Sequence, residues 1–219
     1  MSDVIIFGLQ DFAELAHYYL AEDSPHNVIA FCVSKSFVPE GGKFNGLPVL
    51  AFEDVQQTHP PTDVCFFAPM SPKKMNRDRA RVFNEIRSKG YKMISYISSK
   101  ATIFNNNIGE NCFILENNTL QPFTSVGDNV VLWSGNHLGH HSKINDHVTF
   151  TSHVVMSGHC DIGAYSFLGV NSTLRDWITI GEGSFIAMAT SVVKNTEPWS
   201  FYKGNPAVKM DMPSTKIKL

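Results

Sequence analysis

The chain has 219 residues, 43% of them hydrophobic, and a formal charge of −2, enough to bury one large core or two modest ones and without bulk attraction for polyanions. Nucleic acid is therefore excluded as a first expectation, and the apolar runs fall far below the roughly eighteen residues of a membrane span. The start, MSDVIIFGL, has neither the basic region nor the cleavage site of a secretory leader, so a soluble cytoplasmic protein with no membrane partner is expected.

Up to about residue 100, β-like runs alternate with helical ones: DVIIFGL (3–9), FAELAHYYLAE (12–22), NVIAFCVS (27–34), VCFFAPM (64–70), the amphipathic KKMNRDRARVFNEIRSKG (73–90) and KMISYIS (92–98). This order predicts an α/β domain over 1–98, a small parallel sheet flanked by helices in a Rossmann-like βαβ arrangement. Gly8 ends the first strand and Gln10-Asp11 open the first helix, which sets backbone N–H groups where a phosphate fits. Gly8, Leu9 and Gln10 are therefore candidate substrate-binding residues. FGLQDF is not a G-x-G-x-x-G fingerprint, and a simple turn glycine is the competing explanation.

Beyond residue 100 a period of six takes over. Ile108, Ile114, Leu120, Val126, Leu132, Leu138, Ile144, Phe150, Met156, Ile162, Leu168, Leu174, Ile180, Ile186 and Val192 are spaced at six, and none is polar. At 43% hydrophobic content a run of that length is an internal repeat, not chance. Glycine often follows these residues, and the position four on is usually small or β-branched. The pattern describes short strands joined by tight turns, each placing one large and one small side chain in a narrow core.

IGENCF, VGDNVV, IGAYSF and IGEGSF resemble the hexapeptide repeats of the left-handed β-helix acyltransferases, in which three hexapeptides form one triangular coil. With the preceding βαβ domain and the closing YKGNPAVK, the chain resembles the bacterial sugar acyltransferases that acetylate nucleotide-linked amino sugars or sialic acid. The resemblance implies an acyltransferase β-helix over 99–196, a C-terminal tail over 197–219, acetyl-CoA as acyl donor, no metal, and a homotrimer with the coenzyme in the groove between subunits. Large side chains on flat faces, Trp133 and Phe167, would be covered by other copies.

Six of the nine histidines lie between residues 136 and 159, and His141, His147, His153 and His159 fall six apart. On a triangular coil these four occupy equivalent corners of successive faces, with His141 directly beneath His159. Corners spread around a triangle do not converge on one ion, so no histidine metal site is expected within a subunit. His147 and His153 are read as surface or subunit-contact residues, and His141 and His159 as a pocket rim. His137 and His140 flank the Leu138-Gly139 turn and are the candidates for chemistry, because acyl transfer needs a base and donors for the oxyanion and histidine exchanges its proton near neutral pH.

The resemblance assigns the base to the first residue of H-[DE]-x-x-I-G-D, which here is His140 in His140-His141-Ser142-Lys143-Ile144-Asn145-Asp146. His141 stands in the place of the carboxylate. Trp133 stands where the relatives carry an asparagine, and Asn136 is the candidate substitute. Thr149 occupies the place of a further histidine that meets acetyl-CoA. Gly158, eighteen residues beyond His140, either leaves room for pantetheine beside the base or only serves its turn. Arg175, Ala187, Lys203 and Pro206 complete the coenzyme-binding candidates, and His137 joins the substrate-binding set. The expected reaction is N-acetylation of a nucleotide-linked amino-dideoxy sugar by direct attack of its amine. O-acetylation of a sugar hydroxyl and a non-catalytic carbohydrate-binding scaffold are the alternatives.

Overall fold

The computed structural model describes residues 2–217. The N-terminal domain runs β1 (Asp3–Phe7), α1 (Asp11–Glu22), β2 (Asn27–Val33), β3 (Lys43–Phe44), β4 (Leu47–Ala51), α2 (Val55–Thr58), β5 (Val64–Phe67) and α3 (Arg77–Ser88). The sheet order is β3-β4-β2-β1-β5, with β4, β2, β1 and β5 parallel. Along β1 the side chains alternate: Ile5 and Phe7 join a core with Val82, Phe83 and Ile86 of α3, whereas Val4 and Ile6 join one with Ala13, Ala16 and Leu20 of α1. Both faces are covered, which is why the strand reads as a continuous apolar run. The β3-β4 hairpin turns at Asn45-Gly46, both at positive φ, as two-residue hairpins require. The helix expected from residue 73 starts at Arg77, because Lys74, Met75 and Asn76 all sit in the left-handed region.

The expected strand at 92–98 divides between the two domains. Met93 bridges Phe66 of β5, whereas Tyr96–Ile97 pair with Phe113–Ile114 and begin the coil. The coil therefore starts a few residues before the division expected at 98. At the other end Ser200–Lys203 stack on Phe185–Ile186 and pair antiparallel with Val208–Pro213, so the segment after 196 closes the coil as a strand pair.

Between these limits two-residue strands pair in parallel with partners eighteen residues on, as in Val131↔Thr149 and Leu132↔Phe150, and stack into three sheets of four, eight and six strands. These are the sides of a triangular prism. The six-residue aliphatic series points inward and is buried from Ile114 to Val192, and Val130, Ser142, Val148 and Cys160 fill the smaller inward position. Asn118 and Asn136 share that small position and form a ladder: Asn136 donates to Asn118 at 2.9 Å and accepts from the Val154 amide at 2.8 Å.

The N-terminal domain lies on the eight-stranded side. Phe113, Leu115 and Val131 pack into the same core as Val4, Ile6 and Leu20. Trp133 is half-buried, edge to face with Phe12 at 5.5 Å, and Phe167 is buried. These side chains were expected to await other copies, but the chain covers Trp133 itself because the βαβ sheet offers an apolar face of matching size. Two polar side chains of α3 and its approach fix the seam. Asn76 donates to the carbonyls of Tyr165 and Ser166 and accepts from Thr149. Arg79, only 1% exposed, donates to the carbonyls of Asn129, Met70, His147 and Val148 and to Thr149 Oγ1. Burial lowers its pKa to about 9, which leaves the guanidinium charged at neutral pH.

Candidate active site

The histidine period has a backbone cause. His141, His147, His153 and His159 have φ of 55°, 63°, 59° and 59°, and every sixth residue before and after them is likewise left-handed, from Asn105 and Asn111 through Tyr165, Asn171 and Trp177 to Ala189. Asparagine and histidine are among the side chains that tolerate this region. The corner fixes the spacing, and the surroundings of each corner decide what the imidazole does.

His147 lies in the corner under α3. It is buried, 5.8 Å from the Phe83 ring and 4.9 Å from Tyr165, and its Nδ1 pairs with Asn129 at 2.9 Å. Burial, then the Arg79 charge, lowers its pKa to about 4 against the opposing pull of Asp146 and Asp128. It is neither a surface nor a subunit-contact residue, because the N-terminal domain covers it. His153 is an exposed corner whose ring lies over Gly135.

His141 and His159 share the corner between the six- and four-stranded sides, the prism edge opposite the side that carries the N-terminal domain. Phe123, His141, His159 and Trp177 form a stack there, with centroids 4.5, 5.0 and 3.9 Å apart. Phe123 and Trp177 are its exposed ends at 74% and 67%; the eighteen-residue spacing of all four was the sequence signal that Phe123 belongs there.

His140 precedes this corner, and its ring enters the stack edge-on, 5.1 Å from His159. Its amide donates to Gln121 Oε1 at 3.0 Å, and its Nδ1 lies 3.0 Å from His141 Nδ1. One of these nitrogens carries the shared proton, which orients both rings. The pKa of His159 is lowered by desolvation and by the adjacent His141 and His140, against Asp176. Gly158 lies against His140: a Cβ there would come within 2.7 Å of Cε1. The missing side chain therefore leaves the space in which the imidazole of His140 sits.

Arg175 follows Leu174 on this same edge, next to Asp176. Pro206 lines a small cavity of about 230 Å³ with Lys194, Asn195 and Tyr202 at its top, three coils above His140, or roughly 14 Å at one strand spacing per coil. His137 is half-buried on the adjoining six-stranded side. The remaining candidates lie elsewhere in the chain. Asn136 is a core residue 1% exposed, its amide committed to the ladder because it occupies an inward position. Thr149 is 1% exposed and held by Asn76 and Arg79 in the domain seam, where no coenzyme reaches it. Ala187 sits past the eight-stranded side, toward a different corner, and Lys203 ends the strand stacked above it.

Gly8, Leu9 and Gln10 line a cavity of about 410 Å³ with Phe12, Phe37, Met70, Ser71 and Lys73. It opens where the chain leaves β1 and β5, the point at which strand order reverses and ligands of such sheets bind. Sequence reasoning missed Phe37 and the Met70-Ser71-Lys73 wall; the break of the β5 run at Pro69 was the available signal. The prism stands between this cavity and His140, so one chain does not bring them together.

A parallel prism with an imidazole-rich edge, capped by a βαβ domain with a nucleotide-sized cavity, defines a class: the chain has the fold of the left-handed β-helix sugar acyltransferases. A variant of perosamine N-acetyltransferase from Caulobacter crescentus, in complex with CoA and GDP-perosamine, superposes with a TM-score of 0.83 over 97% of this chain and 98% of that one at 17% identity. The acetyltransferase domain of PglB from Neisseria gonorrhoeae gives 0.80 over 96% and 100% at 18% identity, and WeeI from Acinetobacter baumannii 0.79 over 96% and 100% at 19%. In sequence, 84 residues (38% of the chain) are 30% identical to acyl-[acyl-carrier-protein]–UDP-N-acetylglucosamine O-acyltransferase of Burkholderia thailandensis. A stretch of 108 residues is 27% identical to the enzyme of that name from Sinorhizobium fredii. The chain spans 32% and 40% of the length of these relatives. No family model matches. No helix among the described residues is long and apolar enough to cross a membrane.

Proposed function

We propose that this protein is an acyltransferase that uses acetyl-CoA to N-acetylate a nucleotide-linked amino-dideoxy sugar for surface glycan synthesis, with His140 as the general base. The observation that carries the reading is the exposed His140 ring, seated on Gly158 and held at Nδ1 by His141, which leaves Nε2 to accept a proton. In this assignment His140 keeps the proton on Nδ1 and donates it to His141, so an imidazole does the orienting work that a carboxylate does in the resembling motif. The sugar nitrogen attacks the thioester carbonyl, its proton passes to Nε2, the carbon–sulfur bond breaks, and the coenzyme leaves as a thiol carrying that proton. The cavity topped by Lys194 and Pro206 lies on the same edge, at a distance the extended pantetheine arm covers.

The opposed positions of the Gly8 cavity and His140 support an assembly in which one copy presents the sugar nucleotide to another copy's His140. A homotrimer around the prism axis direction meets that need. The solved relatives with CoA, acetyl-CoA and GDP-perosamine bound support the choice of ligands. A second reading, O-acylation of a nucleotide sugar, is favoured by the activity of the curated relatives. Mass spectrometry of products from a panel of nucleotide-linked amino sugars decides: acetyl on nitrogen is expected, acetyl on oxygen replaces the reading with the second, and no transfer to any member overturns it.

A further inference from the structure

Successive corners of the coil carry their imidazoles apart, but His140 is not a corner residue, and its ring turns into the corner that His141 and His159 share. The result is three imidazoles whose donor nitrogens all lie within 4.8 Å of one another, with His140 and His141 exposed and His159 half-buried. Three histidine nitrogens around a zinc ion, each at about 2.0–2.1 Å, stand roughly 3.4 Å apart. The His140–His141 pair at 3.0 Å is already near that spacing, whereas His141 and His159 lie stacked at an interplanar angle of 16°, so these rings must turn out of the stack for their in-plane lone pairs to converge on one ion. No carboxylate is part of the cluster, so its donors are all borderline nitrogen ligands that suit zinc, copper, nickel or cobalt and not the oxygen-seeking magnesium or calcium.

We propose that His140, His141 and His159 form a binding site for a divalent transition ion of the zinc type, with a fourth position open to water. Binding itself needs no assumption about the reaction. Its consequence for catalysis rests on the proposed function, since a neutral His140 that ligates an ion through Nδ1 carries its own proton on Nε2, the nitrogen that would take the proton of the sugar amine.

Isothermal titration of the full chain, stripped with chelator, with zinc and separately with cobalt tests the site. One ion per chain is expected, with the visible bands of four-coordinate cobalt. His140→Gln, His141→Gln and His159→Gln should each weaken zinc binding at least about tenfold, since even loss of an outer partner of a metal ligand costs ten- to a hundredfold. His153→Gln, an exposed corner histidine outside the cluster, should bind as the parent does. Absence of binding, or an affinity that the three cluster variants leave unchanged, overturns the site. If zinc binds as expected while acyl transfer continues at full rate, the site stands and the assignment of His140 as base falls.

Discussion

Two corners of the same prism, with the same left-handed backbone, hold their histidines to opposite ends. At His147 (φ 63°) α3 closes over the ring, Arg79 lies against it, and the imidazole is kept neutral. At His141 and His159 (φ 55° and 59°) the rings stack between Phe123 and Trp177 at an edge away from the N-terminal domain, and a third imidazole joins them. A periodic residue type thus reports a backbone requirement, and the chemistry follows from what packs outside the period.

The largest expected effect tests that contrast directly. His140→Asn removes the acceptor and should lower kcat by about 10² to 10⁴ while acetyl-CoA binding by calorimetry changes little; His147→Asn, which keeps a residue tolerant of the corner, should leave kcat within severalfold. Equal losses in the two variants would erase the distinction. Gly158→Ala is the finer cut. Gly158 lies outside the left-handed region, so the backbone accepts alanine, but the new methyl would displace the His140 ring. A displacement near 1 Å should cost about 10²-fold in kcat, with little change in the thermal midpoint. Full activity would mean that the seat is irrelevant.

The buried corner has its own signature. The folded-state pKa of His147, near 4, lies below the unfolded value of about 6.5, so the unfolded chain binds more protons between them. Its contribution to stability is complete above pH 6.5 and is lost as the pH falls toward 4, on the order of 2 kcal/mol. Urea midpoints at pH 7.5 and 4.5 should drop less in His147→Asn than in the parent; an identical drop would show that the ring is not held neutral. The smallest effect belongs to the exposed stack. Trp177→Ala removes a 3.9 Å contact with His159 from a corner open to solvent and should cost less than about 1 kcal/mol by thermal denaturation.

The contrast also marks what a sequence can tell. The six-residue aliphatic series named the inward positions residue by residue, because a two-residue strand repeated eighteen residues later leaves a side chain no other place to go. The histidine corners followed from the same period. What the period cannot carry is the neighbour from elsewhere in the chain. Thr149 and His147 looked available because Asn76 and Arg79, some seventy residues earlier, leave no trace in the repeat. Asn136 looked catalytic because a polar residue at a small inward position is indistinguishable by type from one at a site, until Asn118 is seen beneath it. The three-imidazole cluster was missed because the count followed corners and His140 is one residue off the corner.

Arg79 holds two parts of the molecule with one guanidinium: the Met70 carbonyl on the wall of the N-terminal cavity, and the carbonyls of Asn129, His147 and Val148 on the prism. The cavity wall is therefore tied to the coil through one buried side chain. Under the proposed function and assembly, the span from a nucleotide in one copy to the imidazole of the next would act as a gauge that sorts an acceptor by the length of its diphosphate and sugar. On that reading, retuning the protein toward a longer or shorter acceptor would mean resetting the Pro69–Lys73 stretch against this anchor, not loosening the seam.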